Sequence, residues 1–276
     1  MKKIRVLVLR AAGTNCDKET AFAFEEAGAS AELVHINRLS SGEKELSDYQ
    51  ILAIPGGFSY GDDIASGKIL ANELKYRIEE DMQKFVRDGK LIIGICNGFQ
   101  ILVKSGLLPN LSGDFKTIET TLTLNDSAKF EDRWVYLKNV QRTADSVQRI
   151  AYSVRCKCVW TQNLPDMIYL PVAHGEGKFI PRDKKILTEL KREGLVVFEY
   201  ADEKGKSGGF PYNPNGSVEN IAALCDKTGR IFGLMPHPER HISYLQHPRW
   251  TRGKNRGRGD GFAIFKNGVD FAKKHL

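Results

Sequence analysis

The chain has 276 residues, 41% of them hydrophobic and 27% charged, with a formal net charge of +7 at pH 7. That length supports a sizeable core in one large α/β domain, with or without an appendage, and no apolar run reaches the roughly 20 residues a membrane span needs. Five cysteines, odd in number and irregularly spaced, do not read as a disulfide framework, so a reducing, cytoplasmic setting is expected and the question becomes which thiol reacts.

The first segment, "MKKIRVLVLR", places two lysines before an apolar run. Arg5 and Arg10 interrupt that run, so it reads as a first buried strand rather than a signal peptide. "GTNCDKETAFAFEEAG" follows as a helix, with Thr14 or Asn15 as its cap and Gly28 as its stop. "AELVHI" and "ILAIPGG" read as the second and third strands. "NELKYRIEEDMQKFVRDG" has the pattern of one amphipathic helix ending at Gly89. "KLIIGI" is a fourth strand and "NGFQILVKSG" a helix. Strands alternating with helices predict βαβ units and a parallel sheet.

From about residue 115 to 200 the pattern changes. "FKTIETTLTL", "RWVYLKNV", "YSVRCKCVW" and "GLVVFEYAD" read as strands without long helices between them, an antiparallel addition or β-rich flap. The stretch 141–168 gives the weakest pattern. "IAALCD" and "IFGLMP" form a hairpin pattern with its turn at Thr228–Gly229, and "AIFKNGVDFAKKHL" is a closing helix. There is no internal repeat. Residues 1–276 read as a single domain, including a basic loop at about 248–260, in which Arg249, Arg252, Lys254, Arg256 and Arg258 face a single acid, Asp260.

"GICNG" sits where the fourth strand meets its helix. Gly94 and Gly98 let strand and helix approach closely, and Cys96 between them occupies a strained, exposed corner, the layout of a nucleophile elbow. A helix N-terminus favours thiolate there, and the backbone N–H of Asn97 can face a developing oxyanion. The same residues also suit a buried cysteine in a tight turn.

A nucleophilic thiol needs an imidazole, oriented by a third group. His237, between Pro236 and Pro238, is held extended, and Glu239 two residues on leaves the same side of an extended segment. His237 and Glu239 thus form a base and orienter pair; a proline-rich turn without chemistry is the competing account. His174, in "PVAHGEGKF", reads as a loop residue with a binding or structural role. His35 is structural on its strand, His275 lies at the terminus, His247 sits beside the basic loop, and His241 follows "GLMPHPER". "AIPGGFSYGDD" follows the third strand. Gly56 and Gly57 permit a backbone that points N–H groups at an anion, so Gly57 or Phe58 is the second oxyanion donor.

"GICNGFQ" with a distant "MPHPER" resembles the class I (triad) glutamine amidotransferases. "GTNCDKE", "PGGFSYGDD", "AHGEGKF" and "NPNGSVENIAAL" narrow the resemblance to the glutaminase subunits of phosphoribosylformylglycinamidine synthase, across residues 13–240, and "GDGFAIF" also fits. The resemblance implies a flavodoxin-like fold, with a mostly parallel sheet flanked by helices and an antiparallel β addition. It implies that Cys96 attacks the glutamine amide and forms a thioester, that His237 moves the protons, and that Glu239 fixes its tautomer. Gly57 or Phe58 with Asn97 would hold the oxyanion, and Gln100 would lie near the substrate. It implies no metal and no cofactor in this chain. Ammonia would pass to a synthetase subunit of the PurL type, which uses ATP and magnesium in purine synthesis, and a small third subunit of the PurS type completes the complex. The chain departs from the family at Ala11 and Ala12, where an aromatic residue and a proline are usual, and in longer segments at 141–168 and 241–258.

Three other readings compete. An amidotransferase subunit serving another synthetase, or a cysteine hydrolase on the same fold, is opposed by "GTNCD" and "FSYGDD". "TRGKNRGRG" could hold a polyanion, but Trp250 is its lone aromatic neighbour, so nucleic acid is not the expected partner. Cys156 and Cys158, one residue apart without a second pair, suit a shared strand face better than zinc.

Overall fold

A computed structural model describes residues 3–141, 157–252 and 257–276. Short apolar segments bounded by Gly and Pro become strands because their main-chain groups must be paired once buried. β1 (Arg5–Arg10), β2 (Ser30–His35), β3 (Ile51–Ile54) and β4 (Leu91–Ile95) come first, then β5 (Thr120–Thr123), β6 (Glu131–Asn139), β7 (Met167–His174) and β8 (Lys178–Pro181). β9 (Val196–Ala201), β10 (Ile221–Cys225) and β11 (Ile231–Leu234) complete the set. Nine of them form one sheet in the order β2-β1-β3-β4-β11-β10-β9-β6-β7, and β5 pairs with β8 separately.

From β2 to β11 neighbouring strands run parallel; from β11 to β7 they run antiparallel. β3 and β4 are buried along their whole lengths, as strands covered on both faces must be. The helices are α1 (Asp17–Glu26), α2 (Ile36–Ser40), α3 (Lys68–Arg77), α4 (Glu79–Arg87), α5 (Asn97–Lys104), α6 (Lys184–Arg192) and α7 (Phe262–His275). α1 meets α7 through Phe24 and Phe265, edge to face at 5.0 Å, with the buried Trp160 against Phe24 at 6.4 Å.

The order 2-1-3-4-11 places a topological switch between β1 and β3, where open sheets bind ligands beyond their carboxyl ends. Register fixes what emerges there. Ile54 stands beside Gly94 and Leu234 beside Ile95. The chain therefore leaves β3, β4 and β11 at one level, with Gly56, Cys96 and His237 as neighbours. β7 pairs only with β6 in the sheet, yet Pro171 accepts a bond from His237 N at 2.8 Å. The antiparallel half thus curls back over that edge.

Several expectations change. The helix expected over 72–89 is two helices, α3 and α4, broken at Ile78 (φ −134°, ψ 29°). The cap of α1 is Cys16, without a side-chain bond, while Thr14 Oγ1 accepts from Ala11 N at 3.1 Å. The strand expected over 115–124 shrinks to Thr120–Thr123. Within the strand expected at "YSVRCKCVW", Val159–Thr161 is a 3-10 turn, and residues up to Cys156 lie outside the described ones, as do Lys254 and Arg256. β7, β8 and α6 had no counterpart in the sequence reading. His174 ends β7 rather than lying in a loop. The hairpin turn at Thr228–Gly229 is present, with Gly229 at φ 71°. No helix among the described residues is long and apolar enough to cross a membrane.

Candidate active site

Cys96 ends the turn from β4 into α5 with φ 52° and ψ −105°, a strained conformation for a residue with a Cβ. The fold over-determines it. Cys96 N donates to Leu234 O at 2.8 Å, and Cys96 O accepts from Phe99 N and Gln100 N at 3.0 and 3.1 Å. The helix can start this close to the sheet because of two glycines. A Cβ on Gly98 would lie 1.9 Å from Ile54 O, and one on Gly94 2.6 Å from Gly98 O. Sγ lies 3.7 Å from Ala173 O.

His237 follows β11 with φ −103° and ψ 91°, the extended geometry its following proline imposes. The next residues are not extended: Pro238–Arg240 is a 3-10 turn. That turn still delivers Glu239, whose Oε1 accepts from His237 Nδ1 at 2.6 Å. An ionised carboxylate only accepts, so in the neutral imidazole Nδ1 carries the proton and Nε2 keeps the lone pair. His237 and Glu239 are each 1% exposed. Burial by itself would lower the imidazole pKa, but the Glu239 carboxylate, with Cys96 and Cys16, raises it well above the ordinary value. His237 Nε2 has no hydrogen-bond partner. Its interaction with Cys96 is electrostatic and short-range, although the sulfur is directed at Ala173.

The oxyanion expectation resolves on main-chain bonds. Phe58 N donates to Gly13 O at 2.9 Å, which removes Phe58 as a donor in this conformation. Gly57 sits at φ 141° with no room for a side chain, since a Cβ would lie 2.7 Å from Asn15 N. Its N–H and that of Asn97, the first residue of α5, are the two remaining amides at the corner. Gln100 is buried, and both ends of its amide are engaged: Nε2 donates to Glu176 O and Oε1 accepts from Asn97 Nδ2 at 3.0 Å. Gln100 therefore holds the 174–177 segment.

Cys16, Arg240 and Tyr200 join the site without having been read as part of it, and His174, read as a loop residue with a binding or structural role, lies with them. Cys16 Sγ lies 3.9 Å from His237 Nδ1 and accepts from Arg240 Nη2 at 3.1 Å. Burial pushes its thiol pKa up, and the bond with His237 offsets part of that. Burial, then repulsion from His237, pushes His174 down to about 3, so its imidazole is neutral; Asn215 Nδ2 lies 3.5 Å from its Nε2 and 3.2 Å from Tyr200 Oη. Cys16, His237 and Glu239 are donor types for a metal, with ligand atoms within 4.8 Å of one another. The Arg240 guanidinium on the sulfur disfavours a second cation there. The other histidines stand apart. His35 accepts from Asn37 N, His241 Nδ1 bonds Tyr169 O at 2.8 Å beside the His247 ring, and His275 stacks on Phe271.

Comparison with known proteins converges with this geometry. Residues 3–272 match the CobB/CobQ-like glutamine amidotransferase domain. The phosphoribosylformylglycinamidine synthase subunit PurQ of Dehalococcoides mccartyi is 46% identical over 275 residues, covering 99% of this chain and 100% of that one. The protein of the same name from Methanococcus maripaludis is 42% identical over 282 residues, covering 98% of each. A chain in the structure of PurLQS from Thermotoga maritima superposes with a TM-score of 0.69 at 29% identity, covering 98% of this chain and 99% of that one. The chain belongs to the CobB/CobQ-like glutamine amidotransferases, and within them to the family of PurQ subunits of phosphoribosylformylglycinamidine synthase.

Proposed function

We propose that this chain hydrolyses glutamine at Cys96 and supplies the ammonia to a PurL-type synthetase subunit that makes the amidine with ATP and magnesium, in a complex completed by a small PurS-type subunit. The observation that carries the reading is the convergence of Cys96, His237 and Glu239, delivered by the ends of two strands, with His237 Nδ1 tied to Glu239 at 2.6 Å and Nε2 unpartnered. The PurLQS likeness supports the partnership.

The chemistry follows from those positions. His237 Nε2 takes the Cys96 proton as sulfur bonds to the amide carbon. The Gly57 and Asn97 N–H groups receive the oxyanion. The tetrahedral adduct collapses as His237 returns its proton to nitrogen, the C–N bond breaks and ammonia leaves. His237 then deprotonates a water, which attacks the thioester, and the thiolate regains the proton as glutamate departs. Glu239 stabilises the imidazolium at each step. No cofactor is needed in this chain. A cytoplasmic site of action fits its buried free thiols.

Cys96→Ala is expected to abolish glutamine hydrolysis, while ammonia-dependent synthesis by the assembled complex persists. An electrophilic glutamine analogue should label Cys96 alone, read by mass spectrometry of the modified peptide. Glutaminase activity retained in Cys96→Ala would overturn the assignment.

A further inference from the structure

We infer that Cys16 is a positioning residue for glutamine hydrolysis, whose sulfur holds the Arg240 guanidinium away from Glu239 and keeps that carboxylate for His237. The inference rests on the functional reading above and adds to it a residue 221 positions from the imidazole it serves.

Four observations carry it. First, the backbone of Cys16 is fixed to the loop that holds Gly57: Cys16 N donates to Gly56 O at 3.2 Å, and Thr14 bridges Gly57. Cys16 is itself 1% exposed, so its sulfur has one place to be. Second, that place is the Nδ1 flank of His237, the side opposite the nitrogen that serves Cys96. Third, Arg240 follows Glu239 directly and lies within its electrostatic reach, yet its side chain bonds Cys16 Sγ at 3.1 Å and pairs with Glu19 at 3.8 Å. Fourth, Glu239 Oε2 is buried with no hydrogen-bond partner, an open acceptor for any guanidinium that could reach it.

A buried carboxylate with a vacant lone pair beside an arginine is a pair waiting to form. Were it to form, the negative charge that supports the imidazolium would be neutralised and His237 would become a weaker base. The sulfur prevents this by offering a competing acceptor. Its own proton goes to Asn15 Oδ1, 3.2 Å away. As an uncharged thiol, Cys16 neither competes for the glutamine carbon nor takes the proton from Cys96. Gly56 keeps this side of the site open, because a Cβ there would lie 2.7 Å from His237 Cε1 and 3.1 Å from Cys16 Sγ.

The test measures kcat and KM for glutamine against pH in the assembled complex. Cys16→Ala should lower kcat about tenfold, the size of an ordinary coupling between contacting side chains, with KM changed less than about twofold. The pH profile should move to lower pH, since Arg240 on Glu239 lowers the proton affinity of the His237 imidazole. Cys16→Ser keeps an acceptor for Arg240 and should retain most of kcat and the wild-type limbs. In the double variant Cys16→Ala, Arg240→Ala the intruding cation is gone, so kcat should recover and the limbs return to, or above, their original positions. Unmoved limbs in Cys16→Ala, a double variant no faster than the single one, or Cys16→Ser as impaired as Cys16→Ala would each overturn the inference. A wild-type complex inert toward glutamine would instead sink the functional reading itself.

Discussion

His237 and His174 are both buried imidazoles, and their surroundings send them in opposite directions. At His237 burial opposes charge, but the Glu239 carboxylate prevails and its pKa rises. Replacing Glu239 with Gln keeps the shape and removes that charge. The limb of the kcat/KM profile that reports His237 should then move to lower pH and the plateau should fall by about two orders of magnitude, the scale of a lost charge contact to a catalytic base; an unmoved limb would deny Glu239 its electrostatic role. At His174 burial is joined by repulsion from His237, a backbone hydrogen bond offsets only a part, and the value falls to about 3. Between that value and the ordinary imidazole near 6.5, the unfolded chain binds a proton that the native chain refuses, so stability falls as pH falls. From pH 6.5 to 5 the loss is about 2 kcal/mol. His237 works the other way: with its native value raised, its stabilising contribution is fully present below the unfolded value near 6.5 and is lost as pH rises from there through its own raised value. His174→Gln should flatten the dependence, read as urea midpoints at the two pH values, and a slope equal to wild type would refute the assignment.

At the scale of elements, the elbow is set by the approach of α5 to β3. Gly98→Ala would place a Cβ 1.9 Å from Ile54 O, a backbone contact that cannot yield without shifting the helix. The expected cost is about 3 kcal/mol, the upper range for overpacking, with Cys96 displaced and activity lost; an unchanged urea midpoint would show that the helix slides freely. This corner was legible because Gly94 and Gly98 punctuate a change of period from two to 3.6. The other misses have local physical causes. Ile78 breaks α3 from α4 without any Gly or Pro to announce it, because its side chain is buried and packing overrides propensity. β7 carries Pro171, which masks a strand pattern but is tolerated on an edge strand. α6 did have a signal: Asp183 caps it by accepting from Ile186 N at 2.9 Å. Cys16 lay within "GTNCDKE", but nothing there announced a role for its thiol, since only the fold, with β1 paired to β3, brings it beside His237.

At the scale of the whole molecule, the antiparallel half of the sheet covers the site that the parallel half builds. Cys96 is 4% exposed and His174 3%, and Cys96 Sγ faces Ala173 O near the end of β7; on the proposed function, the adjoining 174–177 segment is the cover that glutamine has to displace. That segment is strapped to the parallel half through one residue. Glu176 O accepts from Gln100 Nε2, its Oε2 accepts from Ser66 N at 3.2 Å, and Lys104 pairs with it at 3.8 Å. On the proposed function, such a strap would limit release of ammonia to solvent until binding of the synthetase supplied the energy that opens it. The isolated chain should therefore turn over glutamine slowly, and the synthetase should accelerate it. Glu176→Ala cuts the side-chain half of the strap and leaves the carbonyl half. In the isolated chain it should raise the rate at which iodoacetamide alkylates Cys96 several-fold. It should also narrow the acceleration that the synthetase gives, because part of the opening has already occurred. Equal alkylation rates in Glu176→Ala and wild type would place the barrier to glutamine elsewhere than in this strap.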